Sequence, residues 1–138
     1  MAQPRSETCD AEVLVVGAGM VGLSLACALA GAGVAVAAID REDPAALTDE
    51  GFDGRVSAIA HGSQQALAAI GLWPALCADA QPILEIRVSD GDSPLFLHYD
   101  HADVGDAPLG FIVENRHIRQ ALFAAAARLD RLRLIAPV

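Results

Sequence analysis

Charged side chains are missing from Val13 to Ile39, and within that stretch the apolar positions change their rhythm twice. Glu12 to Val16 is a short β-branched run that stops at Gly17. From Met20 onward small and apolar residues recur at helical spacing through Leu23, Ala26, Leu29 and Ala30. Gly31 and Gly33 then supply the left-handed backbone that closes a helix, and Val34 to Ile39 reads as a second apolar strand ending in Asp40. The pattern predicts strand, tight turn, helix, strand, a βαβ unit of about thirty residues with parallel strands. A long uncharged run is also the flag for a membrane helix. Five glycines fall inside it, however, and each costs a lone helix about 1 kcal/mol against alanine. A spanning helix leaves Gly31, Gly33 and Asp40 unexplained; the strand reading accounts for all three.

Beyond Asp40 the rhythm differs. Residues 41 to 56 are polar and rich in turn formers and read as a surface loop. A helix is expected over Gln64 to Ile70, capped by Gly62 or Ser63 and closed by Gly71, with a further short turn of helix at Pro74. Ile83 to Ser89 alternates as a strand, residues 90–93 (DGDS) make a turn, and Pro94 to Tyr99 returns as the antiparallel partner. Leu109 to Val113 is extended, Asn115 to Leu129 carries the apolar spacing of a half-buried helix, and Leu132 to Ala136 is a third candidate parallel strand. The expected class is α/β: a Rossmann-like βαβ core with a parallel sheet, interrupted by an antiparallel β-hairpin. Three stretches follow: residues 1–80 as the βαβ core and following helix, 81–109 as the hairpin, and 110–138 as a return to the first domain. The final RLRLIAPV stops just where a new strand starts, so a truncated chain is expected.

Composition narrows the function classes. At 138 residues and 54% hydrophobic, the chain suits one globular domain with a real core. Nine basic against eighteen acidic residues give a net charge of −9, which repels nucleic acid. Cys9, Cys27 and Cys77 are odd in number and form no CxxC pair, which fits a reducing cytoplasm better than a disulfide framework or a zinc site. The first residues have neither the basic start nor the apolar core of an export signal.

Gly17, Gly19 and Gly22 satisfy GxGxxG between a strand and a helix: the first glycine for the turn, the second for close approach of a diphosphate, the third for helix-on-strand packing. Unpaired N–H groups of the first helical turn, with the positive dipole end, favour an anion there. Asp40, eighteen positions after Gly22, can accept hydrogen bonds from a ribose diol and disfavours a 2′-phosphate. Arg41 beside it is a further cofactor candidate. Residues 98–103 (HYDHAD) crowd His98, Asp100, His101 and Asp103 together, but alternation on a strand splits their directions, so no metal site is expected. His61 and His117 stand alone, and Arg128, Arg131 and Arg133 suit a helix C-terminus.

The run GAGMVGLSLACALAGAGVAVAAID resembles the ADP-binding start of FAD-dependent oxidoreductases. FDGRVSAIAHGSQQALAAIGLWPAL (52–76), IRVSDG (86–91) and LGFIVENRHIRQALFAAA (109–126) resemble the ubiquinone-biosynthesis hydroxylases, polyprenylphenol monooxygenases, and most of all their 2-octaprenyl-6-methoxyphenol hydroxylase branch. That resemblance implies an FAD/NAD(P)-binding core over residues 1–80, a hairpin at 81–109 that begins a substrate-binding region, and an FAD enzyme that uses NAD(P)H and O2 to hydroxylate a phenol ring, with Arg55 reaching the diphosphate or adenosine part. Asn115 or Arg116 would open a helix near the cofactor, and Ser57 would add a hydroxyl. Catalytic residues remain unassigned. The family's later Asp-Gly and Gly-Asp motifs would lie beyond residue 138, so 138 residues alone are expected to be inactive. A lipid-tailed substrate implies a cytoplasmic protein working at the inner face of the membrane or in a multi-enzyme assembly. The competing readings are another FAD oxidoreductase, an NAD-dependent dehydrogenase, for which strand and helix should keep alternating after Asp40, and a non-catalytic nucleotide-binding fragment.

Overall fold

The computed structural model describes residues 10–47 and 54–138. In chain order the elements are β1 (Val13–Val16), α1 (Met20–Gly31), β2 (Val36–Ile39), α2 (Pro44–Leu47), β3 (Val56–Ala60), α3 (His61–Ala69), β4 (Gln81–Ile83), β5 (Glu85–Ser89), β6 (Phe96–Asp100), β7 (Gly110–Glu114), α4 (Asn115–Ala126) and β8 (Leu132–Ile135). The chain divides into two compact units, one of residues 1–49 and 122–138, the other of residues 50–121.

In the first unit β1, β2 and β8 form a parallel sheet with β2 in the middle. Val13 pairs with Val36 and Val16 with Ile39, and on the other side Val36 pairs with Leu132 and Ile39 with Ile135. A central parallel strand is covered on both faces, so it has no polar side to show. Val36, Ala37 and Ala38 are accordingly all buried. Helix α1 packs on β1 and β2 through Leu23, Ala26, Cys27 and Ala30, all buried. Small side chains on both surfaces let helix and sheet approach closely. Burial pushes the Cys27 thiol pKa up, so it behaves as a small apolar filler. The helix ends in a Schellman arrangement: Val34 N–H donates to Leu29 O at 3.1 Å and Gly33 N–H to Ala30 O at 3.0 Å, with Gly33 at φ 92°. It is twelve residues long, and no helix among the described residues is long and apolar enough to cross a membrane.

The second unit holds an antiparallel sheet of order β3-β7-β4 and a separate β5-β6 hairpin. Strand β7 is central: Val56 pairs with Glu114, Ala60 with Gly110, and on the far side Ile83 also pairs with Gly110. Ile59, Leu72, Leu76, Val113 and Ile118 are buried, and the Trp73 and Phe111 rings meet at 4.8 Å between centroids. In the hairpin Glu85 faces Asp100 and Ser89 faces Phe96.

The sequence reading placed Val56 in a loop, but β3 starts there. Its VSAIA has little of its own to mark a strand; the ladder is supplied by β7, far along the chain. Helix α3 starts at His61 with no side-chain cap, because β3 runs straight into it and Leu109 O accepts the His61 N–H at 3.1 Å. The single strand expected over Ile83 to Ser89 is split at Leu84. Up to Ile83 the chain pairs with β7, and from Glu85 with β6. Alternation marks extended backbone but not a change of partner.

Leu23 is 1% exposed. Leu23→Ala should therefore lower the unfolding free energy of the intact protein by about 2–5 kcal/mol, read from the urea midpoint at unchanged slope.

Candidate functional site: a glycine turn and its carboxylate

Strand β1 delivers the chain to Gly17, whose N–H donates to Ile39 O at 2.8 Å. Its φ of +98° is open to glycine and strained for any L side chain. The chain then reverses into α1 within two residues. Gly22 faces back onto this turn: a β-carbon there would collide with the Gly17 carbonyl oxygen and lie 3.3 Å from Val15 Cγ1. Backbone cannot step aside as a flexible side chain can, so the third glycine sets how closely α1 sits on β1.

Gly19 is the N-cap of α1, with φ −69° and ψ −177°, and no side chain caps the helix. Its carbonyl accepts the Leu23 N–H at 2.8 Å. The N–H groups of Met20, Val21 and Gly22 precede that first helical bond and so lack an intrahelical acceptor. A β-carbon built at Gly19 meets nothing within 4 Å. The second glycine thus borders open space next to three donors and the positive end of a helix dipole, an arrangement that accepts an anion.

Asp40 stands at the carboxyl end of β2, across the turn. Its Oδ2 accepts the Ala18 N–H at 2.6 Å and its Oδ1 the Glu42 N–H at 3.0 Å. Its own backbone is fixed by Asp40 N–H to Ile135 O at 3.1 Å and Val138 N–H to Asp40 O at 3.0 Å. The Glu42 and Ala18 amides, with help from the Arg41 N–H and charge, hold the carboxyl below the usual aspartate range against a partial desolvation that works the other way. Arg41 is exposed.

The sequence-predicted set therefore separates by unit: Gly17, Gly19, Gly22, Asp40 and Arg41 in the first, Arg55, Ser57, Asn115 and Arg116 in the second. The second group is knitted together where β3 and β7 run side by side. Asn115 N–H donates to Arg55 O at 3.1 Å, and Ser57 Oγ donates to Asn115 Oδ1 at 2.6 Å. Asn115 is the one buried polar residue among those described. Arg116 Nε donates to Glu114 Oε2 at 2.6 Å. Sequence reasoning missed the Ala18 amide as the partner of Asp40, since backbone donors leave no mark in a sequence. It also missed Glu114, which the β7 ladder sets beside Arg116.

In the hairpin one donor each from Glu85, His98 and Asp100 lies within 4.8 Å of the others. These groups already have partners: Arg87 Nη2 is 3.3 Å and His98 Nε2 3.4 Å from Glu85 Oε2, and Asp100 Oδ1 accepts the Ala102 N–H at 2.9 Å.

A carboxyl whose pKa falls on folding stabilises the fold fully above its ordinary pKa of about 3.9, and the contribution disappears as pH drops through the folded value. In the cofactor-free protein, the stability gap between wild type and Asp40→Asn should be flat across neutral pH and close below about pH 4. Urea midpoints measured against pH check this; a gap that widens on acidification would contradict it.

Comparison with known proteins agrees with the geometry. A family model described as FAD dependent oxidoreductase matches residues 12–132. The ubiquinone hydroxylase UbiL of Rhodospirillum rubrum is 55% identical over 127 residues, 92% of this chain and 29% of that protein. The ubiquinone hydroxylase UbiM of Neisseria meningitidis is 32% identical over 129 residues, 90% of this chain and 28% of that protein. The chain thus spans less than a third of these relatives. Among solved structures, a PqsL mutant of P. aeruginosa aligns with TM-score 0.72 at 20% identity, over 91% of this chain and 33% of that one. The p-nitrophenol 4-monooxygenase PnpA of Pseudomonas putida aligns with TM-score 0.65 at 24% identity, over 88% and 30%. These two likenesses concern the fold. With the match to the family model running from β1 into β8, the chain belongs to the FAD dependent oxidoreductases.

Proposed function

We propose that this chain is the N-terminal, FAD-binding part of a monooxygenase that hydroxylates the aromatic ring of a polyprenylphenol in ubiquinone biosynthesis, with NAD(P)H and O2 as co-substrates. The observation that carries the reading is the 55% identity to a ubiquinone hydroxylase over 92% of the chain. The hairpin and antiparallel sheet after β2 support it against a simple doubly wound dehydrogenase, in which strand and helix would keep alternating.

The turn suits the cofactor on physical grounds: bare space at Gly19, three donors without intrahelical acceptors, and a carboxylate across from them. Amides at the N-terminus of α1 would hold the diphosphate, and Asp40, with two oxygens and about four acceptor positions, two of them in use, would receive ribose hydroxyls. Arg55 would reach the diphosphate or adenosine, a match of guanidinium fork to phosphate oxygens. The Ser57–Asn115 hydrogen bond would fix the Asn115 amide, with Arg116 beside it held by Glu114. Bound FAD would supply the redox chemistry, in which one atom of O2 becomes the ring hydroxyl and the other leaves as water, reduced by the two electrons of NAD(P)H. The protein's part is to bind, orient and exclude water. A lipid-tailed substrate would be met beside a membrane, at its cytoplasmic face, or in a multi-enzyme assembly.

The test is the visible spectrum of the intact purified protein. Oxidised-flavin bands that bleach on adding NAD(P)H are expected, and a colourless protein that binds only NAD would overturn the reading. Gly19→Val gives a sharper form of the same test. A β-carbon at this position meets nothing within 4 Å and φ is ordinary, so the variant should unfold within about 1–2 kcal/mol of the cofactor-free wild type, the cost of a poorer N-cap, yet lose the flavin bands.

A further inference from the structure

The carboxylate of Asp40 does more in this structure than wait for a ribose. The turn between β1 and α1 is fastened to the end of β2 at two points, Gly17 N–H to Ile39 O at 2.8 Å and Ala18 N–H to Asp40 Oδ2 at 2.6 Å. The second is short even for a hydrogen bond to a charged acceptor, and such bonds are about twice as strong as neutral ones. Ala18 is 3% exposed, so without Asp40 its N–H would be left buried and unpaired, or the turn would have to open to water. The other oxygen is anchored as well, on Glu42 N–H at 3.0 Å, which fixes the carboxylate's orientation. With the Ala18 N–H taken by Asp40, the amides of Met20, Val21 and Gly22 are those that remain without an intrahelical acceptor.

We infer that Asp40 is a positioning residue, whose carboxylate holds the glycine turn closed in the geometry that receives a nucleotide diphosphate, independently of any contact with the ribose. The inference rests on the nucleotide-binding reading above and deepens it. It has a consequence that a ribose contact alone does not: removing the carboxylate should weaken binding of a nucleotide that has no ribose hydroxyls to lose.

The experiment uses the intact protein stripped of cofactor, as wild type, Asp40→Asn and Asp40→Ala, titrated calorimetrically with ADP and with 2′,3′-dideoxyadenosine diphosphate. Amide exchange without nucleotide is followed in parallel. Both variants should bind ADP roughly tenfold or more weakly, and should also bind the dideoxy nucleotide about threefold or more weakly, the smaller factor reflecting the ribose hydroxyls it lacks. The Ala18 amide should exchange at least about tenfold faster, while the amides of β2 stay protected and so report that the fold persists. A loss confined to ADP, with the dideoxy nucleotide bound equally by wild type and variants, would overturn the inference and leave the nucleotide-binding reading intact. So would unchanged exchange at Ala18. Failure of wild type to bind either nucleotide would overturn both.

Discussion

Everything at the front of this chain follows from one close approach, that of helix α1 to the backbone of the turn beneath it. A β-carbon at Gly22 would occupy the place of the Gly17 carbonyl oxygen, so the helix can start where it does only because residue 22 has no side chain. That start point leaves the N–H groups of Met20, Val21 and Gly22 without intrahelical acceptors. It also brings Asp40, at the end of the neighbouring strand, into hydrogen-bond range of Ala18. The clearance, the amide cluster and the carboxylate are one structural fact seen from three sides.

The rest of the first unit serves that geometry. Small residues on α1 and β2, Ala26, Ala37 and Ala38 among them, are buried, and the parallel register fixes the height of Asp40 against Gly17. Strand β8 extends the sheet and ties Asp40 from behind through Ile135 O. In the second unit the antiparallel pairing of β3 with β7 brings Ser57 to Asn115, joining residues that are remote in sequence. Each unit thus assembles a polar cluster from strand ends, where backbone leaves the ladder and side chains are free to specialise.

The βαβ unit was legible because its signals are local and agree with one another: β-branched strand, three glycines at fixed spacing, helical periodicity, closing glycines and a carboxylate. The third parallel strand and the β5–β6 hairpin were legible for the same reason. What the sequence hid depends on pairing at a distance. Val56 to Ala60 becomes a strand through β7, and the break at Leu84 exists because the chain changes partners there. At the site, the glycines and Asp40 could be named from spacing. The hold of Asp40 on the Ala18 amide could not, since it runs from a side chain to a backbone group.

The central claim is that the bare amides at the start of α1 grip an anionic diphosphate. A crystal structure of the flavin-loaded intact protein tests it most directly. The account predicts diphosphate oxygens within about 3 Å of backbone N–H groups between Gly19 and Gly22, with the adenosine ribose on Asp40. A flavin whose diphosphate lies elsewhere, with that turn facing water or a side chain, would contradict it.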